Sequence, residues 1–295
     1  MYVFVLAACL LAQPAESGPP QRALPTAPAE RGGEAQAEPA AGALEYVRRQ
    51  YRDDAEQYVF QADTERQQTL KLLEKPVLRW ATDDDWSGDV FVWMLEGQPS
   101  VIGCILSGPG GQTSRNVYDE FHLLAERPIA PVGLQTGRRW EPEGGLARTA
   151  LADAPRPADS AAGRLVQMRQ IARDFSAHME ADGKWELRLL PQPLLRYGDE
   201  KTGQSGVIDG ALFTWVWSKG TDPELIMLIE CRRTDSGPAW HYAPVRFSNR
   251  PLWLKHGQRE VWRVDSHREP SGGTTTLIYT TAYARSFPRE AAAQE

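Results

Sequence analysis

The chain has 295 residues, 41% of them hydrophobic and ten of them tryptophan, which is enough apolar mass for one large domain or two ordinary ones. Its formal charge of -6 is spread along the sequence instead of gathering into a basic stripe. That distribution excludes the electrostatic footprint of a nucleic-acid binder.

Taken in chain order, the apolar run from Tyr2 to Ala12 has the length of a secretory h-region and is too short to cross a bilayer. Ala12 and Ala15 suit cleavage, so residues 1–15 read as a signal peptide, although no basic residue follows Met1. Leu6-Ala7-Ala8-Cys9 also matches a lipobox, in which Cys9 would carry a lipid anchor. Residues 16–42 are rich in Pro, Ala, Gly and Glu with almost no bulky apolar side chain, and read as a disordered linker. No other stretch approaches the ~20 apolar residues of a membrane span. The expected protein is exported, in the periplasm or at the cell surface.

Leu44, Val47, Tyr51, Ala55, Tyr58 and Ala62 recur every three or four residues and predict a helix from about 44 towards 73. The same period at Leu165, Met168, Ala172, Phe175 and Met179 predicts a second helix, stopped by Asp182-Gly183. A similar order of features follows each helix. Pro76-Val77-Leu78-Arg79-Trp80 answers to Pro193-Leu194-Leu195-Arg196-Tyr197, and the hairpins 90–96/100–106 and 212–218/224–232 follow. Arg127-Pro128-Ile129 then answers to Arg250-Pro251-Leu252, and Trp140 to Trp262, with equivalents about 120 residues apart, which argues for a duplication. Residues 118–125 and 240–248 add a strand each, Pro244 confining its stretch to an edge or bulge. Residues 259–265 and 274–285 are expected to pair around Gly272-Gly273. The predicted fold class is α+β: two related modules, 43–150 and 151–288, each a helix packed on an antiparallel sheet, arranged with pseudo-twofold symmetry.

The stretch Leu187-Arg188-Leu189-Leu190-Pro191-Gln192-Pro193-Leu194-Leu195-Arg196-Tyr197 stands beside Thr221-Asp222-Pro223-Glu224-Leu225 and Glu120-Phe121-His122-Leu123-Leu124-Ala125. Together these resemble an uncharacterised family of exported proteins from planctomycete-type bacteria, over residues 76–285. The resemblance implies export and a shared fold, and it carries over no catalytic residue.

Familiar catalytic spacings fail for physical reasons. Gly108-Pro109-Gly110-Gly111-Gln112-Thr113-Ser114 lacks the lysine of a phosphate-binding loop, and Gly203-Gln204-Ser205-Gly206 does not complete a nucleophile elbow. No cofactor motif or metal-ligand spacing is evident; Asp83-Asp84-Asp85 and Asp199-Glu200 read as solvated turns, with calcium ligation the alternative. Cys104 and Cys231 lie on the two return strands, either as buried thiols or as a disulfide between the modules. Glu120 and His122 are two apart on a predicted strand, so they share a face and form the best acid/base pair in the chain. Trp215, Trp240 and Tyr242 are the candidate ligand-binding aromatics, with core packing the alternative.

Two functions follow. The first is a non-enzymatic binding or structural module, taking a small molecule, glycan or protein in a crevice between the sheets. The second is a hydrolase-type enzyme with Glu120 and His122 as acid/base pair, joined by Tyr242 or Asp209 from the second half.

Overall fold

The computed structural model describes residues 39–62, 68–135, 137–198, 206–217, 220–270 and 273–289. The signal peptide with Cys9, most of the 16–42 linker, Asp199-Glu200, Gly203-Gln204-Ser205 and Gly272 lie outside the described residues.

Helix α1 (Pro39–Gln57) leads to β1 (Lys71–Leu72), β2 (Leu78–Ala81), β3 (Ser87–Leu95), β4 (Gln98–Pro109) and β5 (Ser114–Leu123). Three short strands follow, β6 (Val132–Gly133), β7 (Arg139–Trp140) and β8 (Thr149–Ala150), then helix α2 (Ala161–Arg173). The rest is strand: β9 (Phe175–Ala181), β10 (Gly183–Glu186), β11 (Arg188–Leu189), β12 (Leu195–Tyr197), β13 (Val207–Val216) and β14 (Pro223–Thr234). The series closes with β15 (Gly237–Arg246), β16 (Leu252–His256), β17 (Arg259–Val264), β18 (Thr274–Thr275) and β19 (Tyr279–Pro288).

The strands build two six-stranded antiparallel sheets. One has the order β1-β3-β4-β5-β19 with β2 also on β3; the other has β11-β13-β14-β15-β8 with β12 also on β13. A four-stranded sheet, β10-β9-β16-β17, and a small β18-β7-β6 sheet complete the set. Alternation along the strands sends each side chain to one of two cores. Phe91, Trp93, Ile105 and Phe121 turn outward towards the Val47, Tyr51 and Ala55 face of α1. Val90, Val92, Ile102 and Cys104 turn inward and share a core with Leu212, Ile226, Leu228, Ala243 and Val245 of the other sheet. A third core joins Met168, Ile171 and Ala172 of α2 to Phe213, Trp215, Met227 and Ile229, together with Phe175, Leu252 and Leu254 of the four-stranded sheet.

These findings correct the α+β expectation. The protein is mostly β, 50% strand and 12% helical with two helices, in a half-barrel of several antiparallel sheets. It is not a pair of duplicated helix-on-sheet modules. The two six-stranded sheets have like strand orders near their centres, yet each takes an edge strand from outside its own half: β19 pairs with β5, and β8 pairs with β15. The expected pairing of 259–265 with 274–285 is also overturned, since β17 lies on β16 and β18 on β7.

The second helix ends early for a local reason. Its N-cap is firm, Ser160 Oγ accepting from Gly163 N at 3.1 Å, but at Asp174 the amide turns back to Gln170 O and Ile171 O. From there Phe175, Ala177 and Met179 are buried alternately with Ser176, His178 and Glu180, so the period becomes two and β9 pairs with β10 and β16. Spacings of three and four between Ala172, Phe175 and Met179 mimicked a continuing helix.

Polar side chains pin the helices to the sheets. Tyr51 Oη of α1 reaches Ser87 Oγ at 2.8 Å and Ser107 Oγ at 2.6 Å, and buried Arg115 donates to Ser107 Oγ at 2.9 Å. On the other sheet Asp209 is held by Arg164 of α2 at 2.9 Å and by Arg196 of β12 at 2.6 Å. Asp89 sits likewise between Arg79 of β2 at 3.3 Å and Arg48 of α1 at 4.0 Å. Gly103 is required by close approach: it pairs across the ladder with Phe121, and a Cβ there would lie 2.4 Å from that ring.

Candidate functional site

The inward face of β5 carries Glu120 and His122, as period-two alternation requires. Tyr279, the cross-strand partner of His122 on β19, donates its hydroxyl to Glu120 Oε1 at 2.5 Å. Arg246 of β15 lies 5.1 Å from the Tyr279 ring centre and donates to the carbonyls of Ser248, Asp265 and Arg250, each at 2.9 Å. His122 Nδ1 lies 2.8 Å from its neighbour's carbonyl, Leu123 O. Burial lowers the pKa of this imidazole to about 4, so it is neutral at pH 7.

The groups expected to join this pair lie elsewhere. Asp209 is in the α2 clamp, and Tyr242 stands with Trp215 and Trp240 in the core under α2, all three buried. Phe175 packs 5.0 Å from the Tyr242 ring centre. The aromatic trio is therefore brought together, but as core, because their strand positions face α2 and the four-stranded sheet. Cys104 and Cys231 are also separated, one thiol in the core between the large sheets and the other in the core under α2, with no bond between them.

Two clefts open near the edge of the second sheet, and neither is lined by Glu120, His122, Trp215, Trp240 or Tyr242. The larger, 440 Å³, lies between the 145–148 loop and the ends of β14 and β15, lined by Glu126, Gly145, Leu146, Ala147, Arg148, Arg232 and His241. Beneath it is Glu230, 1% exposed, which accepts from Tyr197 Oη at 2.8 Å and from Arg232 Nη1 at 2.7 Å, with Arg148 Nε 3.3 Å away. Burial alone would raise the Glu230 carboxyl, but the two guanidiniums outweigh it and hold its pKa below the usual carboxylate range. Glu230 and His241 are paired across the β14–β15 ladder, which puts the imidazole on the same side of the sheet. Its Nδ1 is buried and makes no hydrogen bond among the described residues. The smaller cleft, 230 Å³, is lined by Arg156, Asp159, Arg164, Cys231 and Arg233 among others, with Arg164 committed to Asp209.

Sequence reading passed over Arg148, Arg232, Glu126 and Glu230. One signal was present: in Pro223-Glu224-Leu225-Ile226-Met227-Leu228-Ile229-Glu230-Cys231-Arg232 a carboxylate interrupts an apolar strand, and a buried carboxylate demands cationic partners. One partner, Arg232, stands two residues on and on the same face of β14, but the other, Arg148, comes from a loop 82 residues away, and no local pattern names it.

Outside the clefts, Asp119 of β5 accepts a hydrogen bond from Tyr58 Oη. Burial raises its carboxyl to about 7, against 3.8 for the free side chain. A folded pKa above the unfolded one means that the native state binds the extra proton between about pH 4 and 7, so this group's contribution falls as pH rises through that window and is flat beyond it. Urea unfolding of the wild type and Asp119→Asn at pH 5 and pH 7.5 is expected to show the wild type losing stability relative to the variant as pH rises. An equal change in both proteins would contradict this.

Compared with protein-family models, curated proteins and solved structures, the chain matches none. Among the described residues no three His, Cys, Asp or Glu side chains group as metal ligands, and no helix is long and apolar enough to cross a membrane.

Proposed function

We propose that this chain is an exported, non-enzymatic binding protein of the periplasm or cell surface, and that its ligand sits in the cleft above Glu230. One observation carries the reading: two arginines, anchored from below by a buried carboxylate, line an open 440 Å³ space beside an imidazole nitrogen that lacks a partner among the described residues. A largely preformed concavity with a few convergent polar groups is how small-ligand sites are built. A general acid or base has to come within hydrogen-bond reach of its substrate. Glu120 and His122 are buried against Tyr279 and line neither cleft, which disfavours the hydrolase reading. Export is supported by the apolar run at residues 2–12, the Pro- and Ala-rich stretch after it, and the family resemblance.

The test is a thermal-shift panel of glycans, short peptides and organic acids on the full chain. A ligand at 100 times its Kd adds about 2.7 kcal/mol, which for a chain of this size raises Tm by roughly 5–10 °C. The shift is expected to disappear in His241→Ala and to persist in Glu120→Gln. A shift that survives His241→Ala, or a turnover abolished by Glu120→Gln, would place the function elsewhere. Cell fractionation with N-terminal sequencing tests export separately, and a cytoplasmic protein retaining Met1 would refute it.

A further inference from the structure

The cleft carries information about the charge of its occupant. Glu230 supplies one negative charge against the two positive charges of Arg148 and Arg232, leaving one positive charge in excess at the floor of the cleft. That excess is balanced by Glu126, whose Oε1 lies 2.5 Å from Arg232 Nη1 and 3.5 Å from Arg148 Nε. The two acidic groups are held very differently: the Glu230 side chain is 1% exposed and Glu126 is 50% exposed.

We propose that the ligand of this cleft is a monocarboxylate, and that Glu126 occupies the ligand carboxylate's place while the cleft is empty. This rests on the cleft being the binding site. A carboxylate already satisfies the arginine pair, so a ligand carboxylate reproduces the same charge-assisted hydrogen bonds. The exchange leaves the site neutral, whereas a phosphate dianion would overcompensate it and a neutral group would leave a guanidinium uncompensated. The departing side chain loses little, because a half-exposed ion pair is weakly held and rehydrates readily. Its backbone need not follow. Gly145 lies so close that a Cβ there would fall 2.0 Å from Glu126 O, and Leu146 N donates to Ala125 O at 2.8 Å, so the chain on either side is fixed and only the side-chain torsions move. The 440 Å³ cleft has room for a carboxylate with a small body attached, and His241 supplies a further polar contact.

Two sources present this chemistry, the C-terminus of a short peptide and a uronic acid. Titration calorimetry on the full chain uses N-acetyl-alanyl-alanine and galacturonic acid, their neutral counterparts (the peptide amide and galactose), and inorganic phosphate. Wild type is expected to bind at least one carboxylate in preference to its neutral counterpart and to phosphate. Glu126→Gln removes the internal competitor and is expected to bind that carboxylate about two- to sixfold tighter, the range set by the strength of an exposed ion pair. His241→Ala weakens it, and urea midpoints confirm that each variant is folded. Equal binding of a carboxylate and its neutral counterpart, or no gain in Glu126→Gln, overturns the carboxylate assignment while a His241-dependent signal keeps the cleft. The absence of binding by every compound to both wild type and Glu126→Gln overturns the cleft itself.

Discussion

Phe121→Ala is expected to destabilise the protein by about 3–5 kcal/mol, the range for truncating a fully buried aromatic. The ring is 0% exposed, on β5 in the core under α1. It lies 4.7 Å from the Tyr58 ring centre, 5.5 Å from Phe60, 5.8 Å from Trp93 and 6.0 Å from Trp140. Those neighbours come from β3, β7 and the segment after α1, so collapse into the cavity would have to move several elements at once. For a chain of this size Tm falls by roughly 2–4 °C per kcal/mol. Calorimetry showing a drop of less than about 3 °C would mean that this aromatic cluster is not the centre of that core.

Asp209→Leu is the second large effect, with an expected loss of about 3–5 kcal/mol, because it removes the buried carboxylate that a buried guanidinium grips at 2.9 Å. The Arg164 side chain is 4% exposed, and its Nη1 also donates to the carbonyls of Ala158 and Asp159 at 3.2 and 2.8 Å. Arg196 loses the same carboxylate, but at 34% exposure it recovers solvent. The double variant Arg164→Met with Asp209→Leu is expected to regain most of the loss, since an apolar pair of similar volume removes both members of the buried ion pair. Urea unfolding of the four proteins gives the coupling, and a double variant as unstable as Asp209→Leu alone would show that the α2 clamp is not a charge pair in energetic terms. The Asp89 clamp on the other sheet is looser, with Arg48 at 4.0 Å and Arg79 nearly half exposed, and burial leaves the Asp89 carboxyl raised to about 6. The ion pairs of Asp209 are shorter, at 2.9 and 2.6 Å.

The candidate site shows a similar division. Alternation placed Glu120 and His122 on one face of a strand, and that is where they are. What alternation cannot say is whether the face meets water or a second sheet. It meets a second sheet, and the same residues that read as an acid/base pair become interior groups held by Tyr279 and Leu123. The arginine cleft was half legible for the opposite reason: Glu230 and Arg232 stand two apart on β14, a buried carboxylate in an apolar strand, but Glu126 and Arg148 reach them only when a loop crosses from one sheet to the other.

By itself the sequence determined the local elements whose signal is short-range. The two long hairpins, β3–β4 and β13–β14, follow from near-continuous apolar runs bounded by turn residues, and the body of α2 from the three-and-four spacing of Leu165, Met168 and Ala172. Tertiary structure decided the rest. It ended α2 at Arg173, because the chain beyond pairs with β16, 70 or more residues later, and long-range ladder bonds outweigh a helical spacing of side chains. It also made the fold mostly β, because edge strands from distant parts of the chain, β19 and β8, complete the large sheets. Which strands become neighbours depends on satisfying backbone groups across loops of any length, and that requirement leaves no mark in a window of ten or twenty residues.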